Sequence, residues 1–437
     1  MTRLERHPGL GFAAATELTA VRMRLLRRHL AHAAASPFYR EFFSKAGLDP
    51  RQVRSPEELA RLPFTTKRDL EERGADFLAT PASEIVDVCE SSGTTGLPVT
   101  LLQTRGDLER LAYNEESSFR AAGIVPGERV LVAAALDRCF MAGLAYFLGL
   151  TRLGATAIRG GSGSVAFLAE LVLRHRPTAL VGVPTLIAAI AEALAARDAQ
   201  PAETGVARIV CIGEPVRRDD LSLSPLGELL TALWGASVLG TYASTEMATS
   251  FADCAFGMGG HLLPDLMVVE IVDKQGHPVP PGMAGEVVAT PLQVSGMPLV
   301  RFRTGDIATL HDSPCPCGRT SPRLGPVIGR KSQMLKIKGT TVYPPAIFAA
   351  LQEIPGVKGY FLEVRDTFEL SDRITVTVGA TGAALTPESV AEKIAVRTRV
   401  KPEVVIVAPE EIVARTIRAD KRKPIVFFDL REKRHVH

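Results

Sequence analysis

RIVCIGEP, residues 208–215, and ASVLGTYASTE, residues 236–246, decide the fold. Each opens on a run that is apolar at nearly every position and ends on glycine or hydroxyl residues, and the stretch between them has the length and period of a helix. Working outward, VDVC from Val86, RVLVAAA at 129–135 and TALVGV at 178–183 repeat the same unit. Strands that are apolar throughout have no solvent face, so their alternation with helices predicts an α/β fold whose parallel sheet is covered on both sides. Upstream, ELTAVRMRLLRRHLAHAA at 17–34 sets Leu and Val at helical spacing, and Ser55-Pro56-Glu57-Glu58 has the form of a capping box opening another helix. The first eighty or so residues are expected to be helical. After about residue 264, MVVEIVD, GEVVAT and IATLHD are separated by Pro and Gly turns, which suits a smaller antiparallel or barrel-like unit. Beyond Gly329 a fresh alternation (QMLKIKG, PPAIFAALQEI, YFLEVRD, RITVTVGA, SVAEKIAVRTRV) predicts a separate α+β domain. The expected division is residues 1–330 and 331–437.

The 437 residues suffice for two to four domains at about 100 to 200 residues each. Hydrophobic residues at 46%, charged residues at 23% and aromatic residues at 6% exclude disordered, collagenous and disulfide-scaffold classes. Net charge is +3, and residues 415–437 carry eight Lys and Arg against three Asp and Glu, so the rest of the chain sits near −2. No broad basic footprint exists, and no nucleic-acid partner is expected. Cys89, Cys139, Cys211, Cys254, Cys315 and Cys317 are too scattered for a secreted disulfide framework, and the N-terminal apolar run breaks at Glu17. A reducing cytoplasm is the expected setting. The most apolar stretch, Phe140 to Leu150, lies between Arg138 and Arg152 and falls short of the roughly 18 residues a bilayer span needs. No membrane segment is expected.

Ser91-Ser92-Gly93-Thr94-Thr95-Gly96 joins two glycines to four hydroxyls just after the VDVC run. Glycine lets backbone N–H groups approach a phosphate, and hydroxyls add donors, so the segment suits a polyphosphate; alone it reads equally as a Ser/Thr-rich turn. It is no Walker A loop, because Leu97-Pro98 stands where Gly-Lys-Ser/Thr would follow. Gly213-Glu214-Pro215 and Tyr242-Ala243-Ser244-Thr245-Glu246 end two strands, and loops at the carboxyl ends of parallel strands bind ligands in open α/β sheets. Arg301-Phe302-Arg303-Thr304-Gly305-Asp306 and Gly329-Arg330 then contribute a carboxylate and a guanidinium suited to ribose hydroxyls and phosphate.

SSGTTGLP, GEP, YASTE, RFRTGD and GRxxxxxKxKG, in that order, resemble the adenylate-forming superfamily of acyl-CoA synthetases, and CPCGRTSPR with the short chain brings the likeness nearest to the phenylacetate-CoA ligase family. The resemblance implies a large N-terminal domain holding ATP and a carboxylic acid, and a small C-terminal domain that rotates between two half-reactions. It implies activation of an acid, by family default aryl or arylacetic, as an acyl-adenylate, and transfer to coenzyme A. By the same resemblance, Ser91 through Gly96 hold the β- and γ-phosphates, and Gly213, Glu214 and Pro215 wall the adenine on which Tyr242 stacks. Thr245 touches the α-phosphate, Glu246 holds Mg²⁺, Asp306 binds the ribose hydroxyls, and Arg330 contacts the same region. The C-terminal lysine of the family falls on Lys423, six residues before Asp429, with Lys421 as a rival and a solvated basic tail as the bland reading. Two departures stand out: Pro424 follows that lysine, and Lys331-Ser332-Gln333 replaces the usual acidic hinge pair. Gly339 is expected to line the thiol tunnel. Phe140, Ala142 and Gly143 match the region that shapes the acid pocket, although a plain core helix explains the same apolar residues.

Cys254-x₆-His261 and Cys315-Pro316-Cys317-Gly318 supply two close pairs 61 positions apart. Three thiolates and one imidazole close a tetrahedral zinc shell, which makes the expected ion structural; free thiols and a lone histidine are the alternative. The identity of the acid, the acceptor (coenzyme A, a carrier-protein thiol or an amine) and the assembly state, monomer or homodimer, stay open at this level.

Overall fold

The computed structural model describes residues 4–47, 49–91, 98–337, 340–366, 372–381, 385–418 and 424–431. The chain forms two compact units, Met1–Thr304 with Ala308–Val327, and Gly305–Ile307 with Ile328–His437. Among the described residues no helix is long and apolar enough to cross a membrane.

The first unit opens on helices α1 (Ala15–Ala33), α2 (Pro37–Lys45), α3 (Pro56–Leu59) and α4 (Lys67–Arg73). Leu25, Leu26 and Leu30 of α1 recur at helical spacing and pack on Phe38, Tyr39 and Phe77 in one core. The box expected at Ser55 is half formed: its hydroxyl accepts from the Glu58 N–H at 3.3 Å, but the Glu58 carboxylate reaches past it to the Arg54 N–H. That cap opens a single turn, because α3 stops at Leu59.

Among the described residues, strands β1 (Ile85–Glu90) and β2 (Thr100–Thr104) pair with each other alone, antiparallel, and stand off the main sheet. This corrects the grouping of VDVC with the parallel strands. Val86 and Val88 are exposed, so the run is apolar without being buried on both faces, a distinction that periodicity in a short run cannot make.

The main sheet begins after α5 (Arg105–Ala121) with β3 (Arg129–Ala133), and continues through α6 (Met141–Leu153), β4 (Thr156–Arg159), α7 (Val165–His175), β5 (Ala179–Gly182), α8 (Pro184–Ala195), β6 (Arg208–Cys211), α9 (Pro225–Trp234) and β7 (Ser237–Ser244). Its parallel part runs β4-β3-β5-β6-β7. Alternate residues go to opposite faces, as a pleat requires. Val130, Val132, Val181 and Val210 meet Phe119, Tyr146 and Leu150, whereas Leu131, Leu180, Ile209 and Val238 meet Leu168, Ile187, Leu230 and Trp234. Both faces are dry, and that accounts for the uniformly apolar runs.

Strand β7 changes partner halfway. Ser237–Gly240 pair parallel with β6, and Thr241–Ser244 pair antiparallel with β8 (Thr249–Asp253). From there the sheet continues antiparallel through β9 (Gly260–His261), β10 (Met267–Val272), β11 (Ala284–Pro291), β12 (Phe302–His311) and β13 (Arg323–Leu324), in the order β7-β8-β9-β13-β12-β11-β10. The antiparallel set expected after residue 264 is therefore joined strand by strand to the parallel one.

In the second unit, Asp306 and Ile307 pair with β14 (Gly329–Arg330), and β15 (Leu335–Ile337) and β16 (Thr340–Val342) form a hairpin. After α10 (Pro344–Gln352) come β17 (Val357–Asp366), β18 (Asp372–Ala380), α11 (Pro387–Thr398), β19 (Glu403–Val407), α12 (Pro409–Thr416) and β20 (Phe427–Asp429), with sheet order β19-β18-β17-β20. Leu351, Val364, Val376, Val378 and Ile394 form its core.

Candidate active site

In the order β4-β3-β5-β6-β7 the chain leaves β3 toward one edge and leaves β5 toward the other, so the ends of β3 and β5 flank a topological switch point, where a crevice opens outside the sheet. Phe140 stands at the N-cap of α6, after Arg138 and Cys139, whose φ of 56° and 53° are left-handed. Two consecutive non-glycine residues in that region turn the chain sharply between β3 and α6. Ala142 packs under the sheet with Val130 and Tyr146. Gly143 is buried, and a Cβ on it would stand 2.1 Å from the Ala135 carbonyl oxygen, so glycine serves a close backbone approach there.

Gly213, with φ 74°, ends the strand before Glu214 and Pro215. The Glu214 carboxylate accepts from the Thr185 N–H at 3.2 Å and the Thr185 hydroxyl at 3.1 Å. A carboxylate thus caps the first turn of α8, where helix N–H groups are otherwise unpaired. Thr185 carried no motif signal. Tyr242 stacks at a tilt on Phe251, ring centres 5.8 Å apart, and Thr241 donates from its hydroxyl to the Cys211 carbonyl at 2.9 Å, tying β7 to the end of β6. Thr245 and Glu246 occupy the turn between β7 and β8. They share a small cavity with Gln103 of β2, Asp107 and Arg110 of α5, and Met297. Of the proposed phosphate loop, Ser91 is described: it and Val99 bond each other through Ser91 N–H to Val99 carbonyl at 2.9 Å and Val99 N–H to Ser91 Oγ at 3.0 Å. Ser92, Gly93, Thr94, Thr95, Gly96, Gly339, Lys421 and Lys423 lie outside the described residues.

Asp306 and Arg330 face each other across the β12 and β14 register in the second unit, with Arg330 Nε 3.1 Å from the Asp306 carboxylate. Arg301, from the same motif, has another task. It is buried, pairs bidentately with Glu270 at 3.0 and 2.9 Å, and donates to the Ala60 carbonyl at 2.7 Å. Such a network fixes the helical N-terminal region to β10.

Cys254, His261, Cys315 and Cys317 come together with their ligand atoms all within 4.8 Å of one another. Cys254 Sγ lies 3.7 Å from Cys315 Sγ, and Cys317 Sγ lies 3.4 Å from His261 Nε2. Around a tetrahedral ion with bonds of about 2.3 Å to sulfur and about 2.0 Å to nitrogen, ligand atoms stand about 3.5 to 3.8 Å apart, so the four residues fit zinc. Burial pushes the Cys254 thiol up to about 12 and His261 down to about 3, the latter helped by Arg319 and Arg323. Next to Cys254 in sequence lies a buried ion pair: Asp253 accepts from Arg217 Nε at 2.6 Å and from the Gly240 N–H at 2.8 Å, in mid-strand of β7. Sequence reading missed Arg217 and Asp253, whose pairing depends on β8 folding back beside the segment after β6.

A family model for AMP-binding enzymes matches residues 44–296. Phenylacetate-coenzyme A ligase of Thermus thermophilus is 34% identical over 79% of this chain and 77% of its own length, and the ligase of the same name from Escherichia coli is 30% identical over 86% and 85%. Among solved structures, 2-hydroxyisobutyryl-CoA ligase in the postadenylation state, in complex with R3-HIB-AMP, superposes with a TM-score of 0.86 at 27% identity, covering 97% of this chain and 91% of that one. On these grounds the chain belongs to the AMP-binding, adenylate-forming enzymes and stands with the phenylacetate-coenzyme A ligases among them.

Proposed function

We propose that this protein is an AMP-forming acid–thiol ligase: it activates a carboxylic acid, aryl or arylacetic in class, with ATP, and passes the acyl group to coenzyme A. The observation that supports the reading is the position of Glu214 after the parallel strand β6 and of Thr245 and Glu246 at the end of β7, in a chain with these relatives. In the first half-reaction a substrate carboxylate oxygen bonds to the α-phosphorus as the bond to the β-phosphate bridge breaks, releasing pyrophosphate. In the second, the thiol sulfur bonds to the acyl carbon, its proton is lost, and AMP leaves.

Each residue then has a task set by charge and shape. The aromatic ring of Tyr242 offers its face to adenine, with Gly213, Glu214 and Pro215 at the rim. The hydroxyl of Thr245 faces the α-phosphate, and Ser91 with the loop to Gly96 cradles the outer phosphates. Asp306 accepts from ribose hydroxyls while Arg330 supplies positive charge beside it. Lys423 neutralises the oxygens between acid and phosphorus during adenylation, and the small domain turns about residues near 330 to bring Gly339 to the thiol. Phe140 and Ala142 shape the acid pocket. The carboxylate of Glu246 suits Mg²⁺, which supplies charge compensation on the phosphates when bound. Zinc at the three cysteines and His261 ties the loop after β8 to the segment before β13, a structural task with no open position for water. Six cysteines without a disulfide suit a reducing cytoplasm.

A pyrophosphate-exchange screen over a panel of carboxylic acids, followed by coenzyme A with the best acid, tests the reading. ATP- and acid-dependent exchange with AMP and thioester as final products is the expected result. No exchange with any acid overturns it; exchange without transfer to coenzyme A moves the acceptor to a carrier-protein thiol or an amine.

A further inference from the structure

Arg110 of α5 is 1% exposed, yet among the described residues no carboxylate is bonded to its guanidinium. Its acceptors come from three separate segments: Nε donates to the Leu292 carbonyl at 2.6 Å, one terminal nitrogen to the Ala248 carbonyl, and the other to the Thr249 hydroxyl and the Leu266 carbonyl, both at 2.7 Å. One helical turn earlier Asp107 accepts from the Ser295 N–H at 2.7 Å and the Gly296 N–H at 2.9 Å. The first two turns of α5 therefore grip the loop after β11 with one side chain, and that loop plus the β7–β8 turn with the other.

The turn needs an outside hold. Two of its N–H groups are satisfied from within, Met247 by the Ser244 hydroxyl and Ala248 by the Ser244 and Thr245 carbonyls, each at 3.2 Å. Ala248, however, sits at φ 46°, a left-handed conformation that a Cβ disfavours. The Ala248 carbonyl leaving that residue is the group Arg110 binds. A planar guanidinium spreads five N–H donors over three nitrogens and serves all four acceptors at once, whereas lysine offers three donors on one atom.

We propose that Arg110 is a positioning residue for adenylation: it locks Ala248 in its left-handed conformation and so fixes where Thr245 and Glu246 point. This rests on the adenylation reading above. Arg110 takes no part in the thiol step.

The test compares wild type, Arg110→Lys and Arg110→Lys with Ala248→Gly as soluble full-length protein. Three quantities are read: pyrophosphate exchange, thioester formation from supplied acyl-adenylate, and the rise in melting temperature on adding MgATP. For Arg110→Lys, displacing the turn by a fraction of an ångström is expected to cut exchange roughly tenfold to a hundredfold, shrink the MgATP-induced rise, and leave the thiol step within about threefold. Glycine at 248 adopts the left-handed conformation unaided, so the double variant is expected to recover at least about fivefold of the exchange. Equal loss in both half-reactions, unchanged exchange, or no recovery in the double variant overturns the proposal. Where Arg110→Lys yields no soluble protein, Thr249→Val removes one acceptor at the turn and keeps the shape; an exchange rate equal to wild type then overturns it. Wild-type protein without exchange for any acid removes the adenylation reading itself, a result distinct from any difference between variants.

Discussion

Glu115 lies in the middle of α5, 6% exposed, with Asn114 Nδ2 at 2.7 Å and Ser250 Oγ at 3.0 Å on the same carboxylate oxygen. No cation stands among the groups that shift it. Burial therefore prevails over the two hydrogen bonds, and its pKa rises from 4.5 to about 7. The folded protein holds this proton more tightly than the unfolded chain does. The linked stability is therefore fully present below pH 4.5, declines as pH rises, and is gone above about pH 7. At about 1.4 kcal/mol per pH unit, the climb amounts to about 3 kcal/mol. Glu115→Gln keeps an acceptor for Asn114 and Ser250 and cannot ionise. Its stability relative to wild type should therefore increase by about 3 kcal/mol between pH 4.5 and pH 8. Asp253 and Asp265, also raised chiefly by burial, titrate in both proteins and cancel in the difference. Urea unfolding followed on Trp234, the sole tryptophan and buried in the first unit, reads the quantity. A difference that stays flat across this range, or grows in the other direction, would refute the argument that burial without a cation governs this carboxyl.

Lys423→Ala is expected to lower adenylation by at least about tenfold while thioester formation from supplied acyl-adenylate stays nearly intact, because the cation is needed only at phosphorus; half-reaction assays that also include Lys421→Ala decide between the two lysines. Protein purified without added metal should carry close to one zinc per chain, and Cys315→Ser should lose it together with several degrees of melting temperature; elemental analysis and calorimetry read both. Gly143→Ala should destabilise the first unit by about 1 to 3 kcal/mol, since its methyl group would meet the Ala135 carbonyl, and the same urea titration measures it.

What the sequence determined by itself is local. A run such as Ile209, Val210, Cys211 is apolar at successive positions because both faces of that strand are covered, and that fact is written in the run. The glycines, hydroxyls and carboxylates after β6 and β7 were visible as strand-end loops, the usual ligand side of an open α/β sheet, but the same residue types also serve turns and caps, as Glu214 does for α8. The two close pairs, Cys254 with His261 and Cys315 with Cys317, were visible in the spacing, although free thiols explained them as well. Packing decided the rest. Whether VDVC joins the large sheet depends on which edges are free, not on its own residues, and it pairs with β2 instead. Where β7 changes from a parallel to an antiparallel partner, at Gly240, Asp253 of β8 accepts from the Gly240 N–H and from Arg217, an arrangement that exists only once β8 folds back. Bringing Cys254 and His261 to Cys315 and Cys317 required β8, β9 and β13 to lie side by side. Nothing in the sequence marks Arg110, whose bonded carbonyls lie up to 182 positions away. Side-chain periodicity follows from backbone geometry and survives in one dimension. The partners of a buried polar group are fixed by whichever segments the folded chain brings within about 3 Å of it, and only the tertiary structure specifies those.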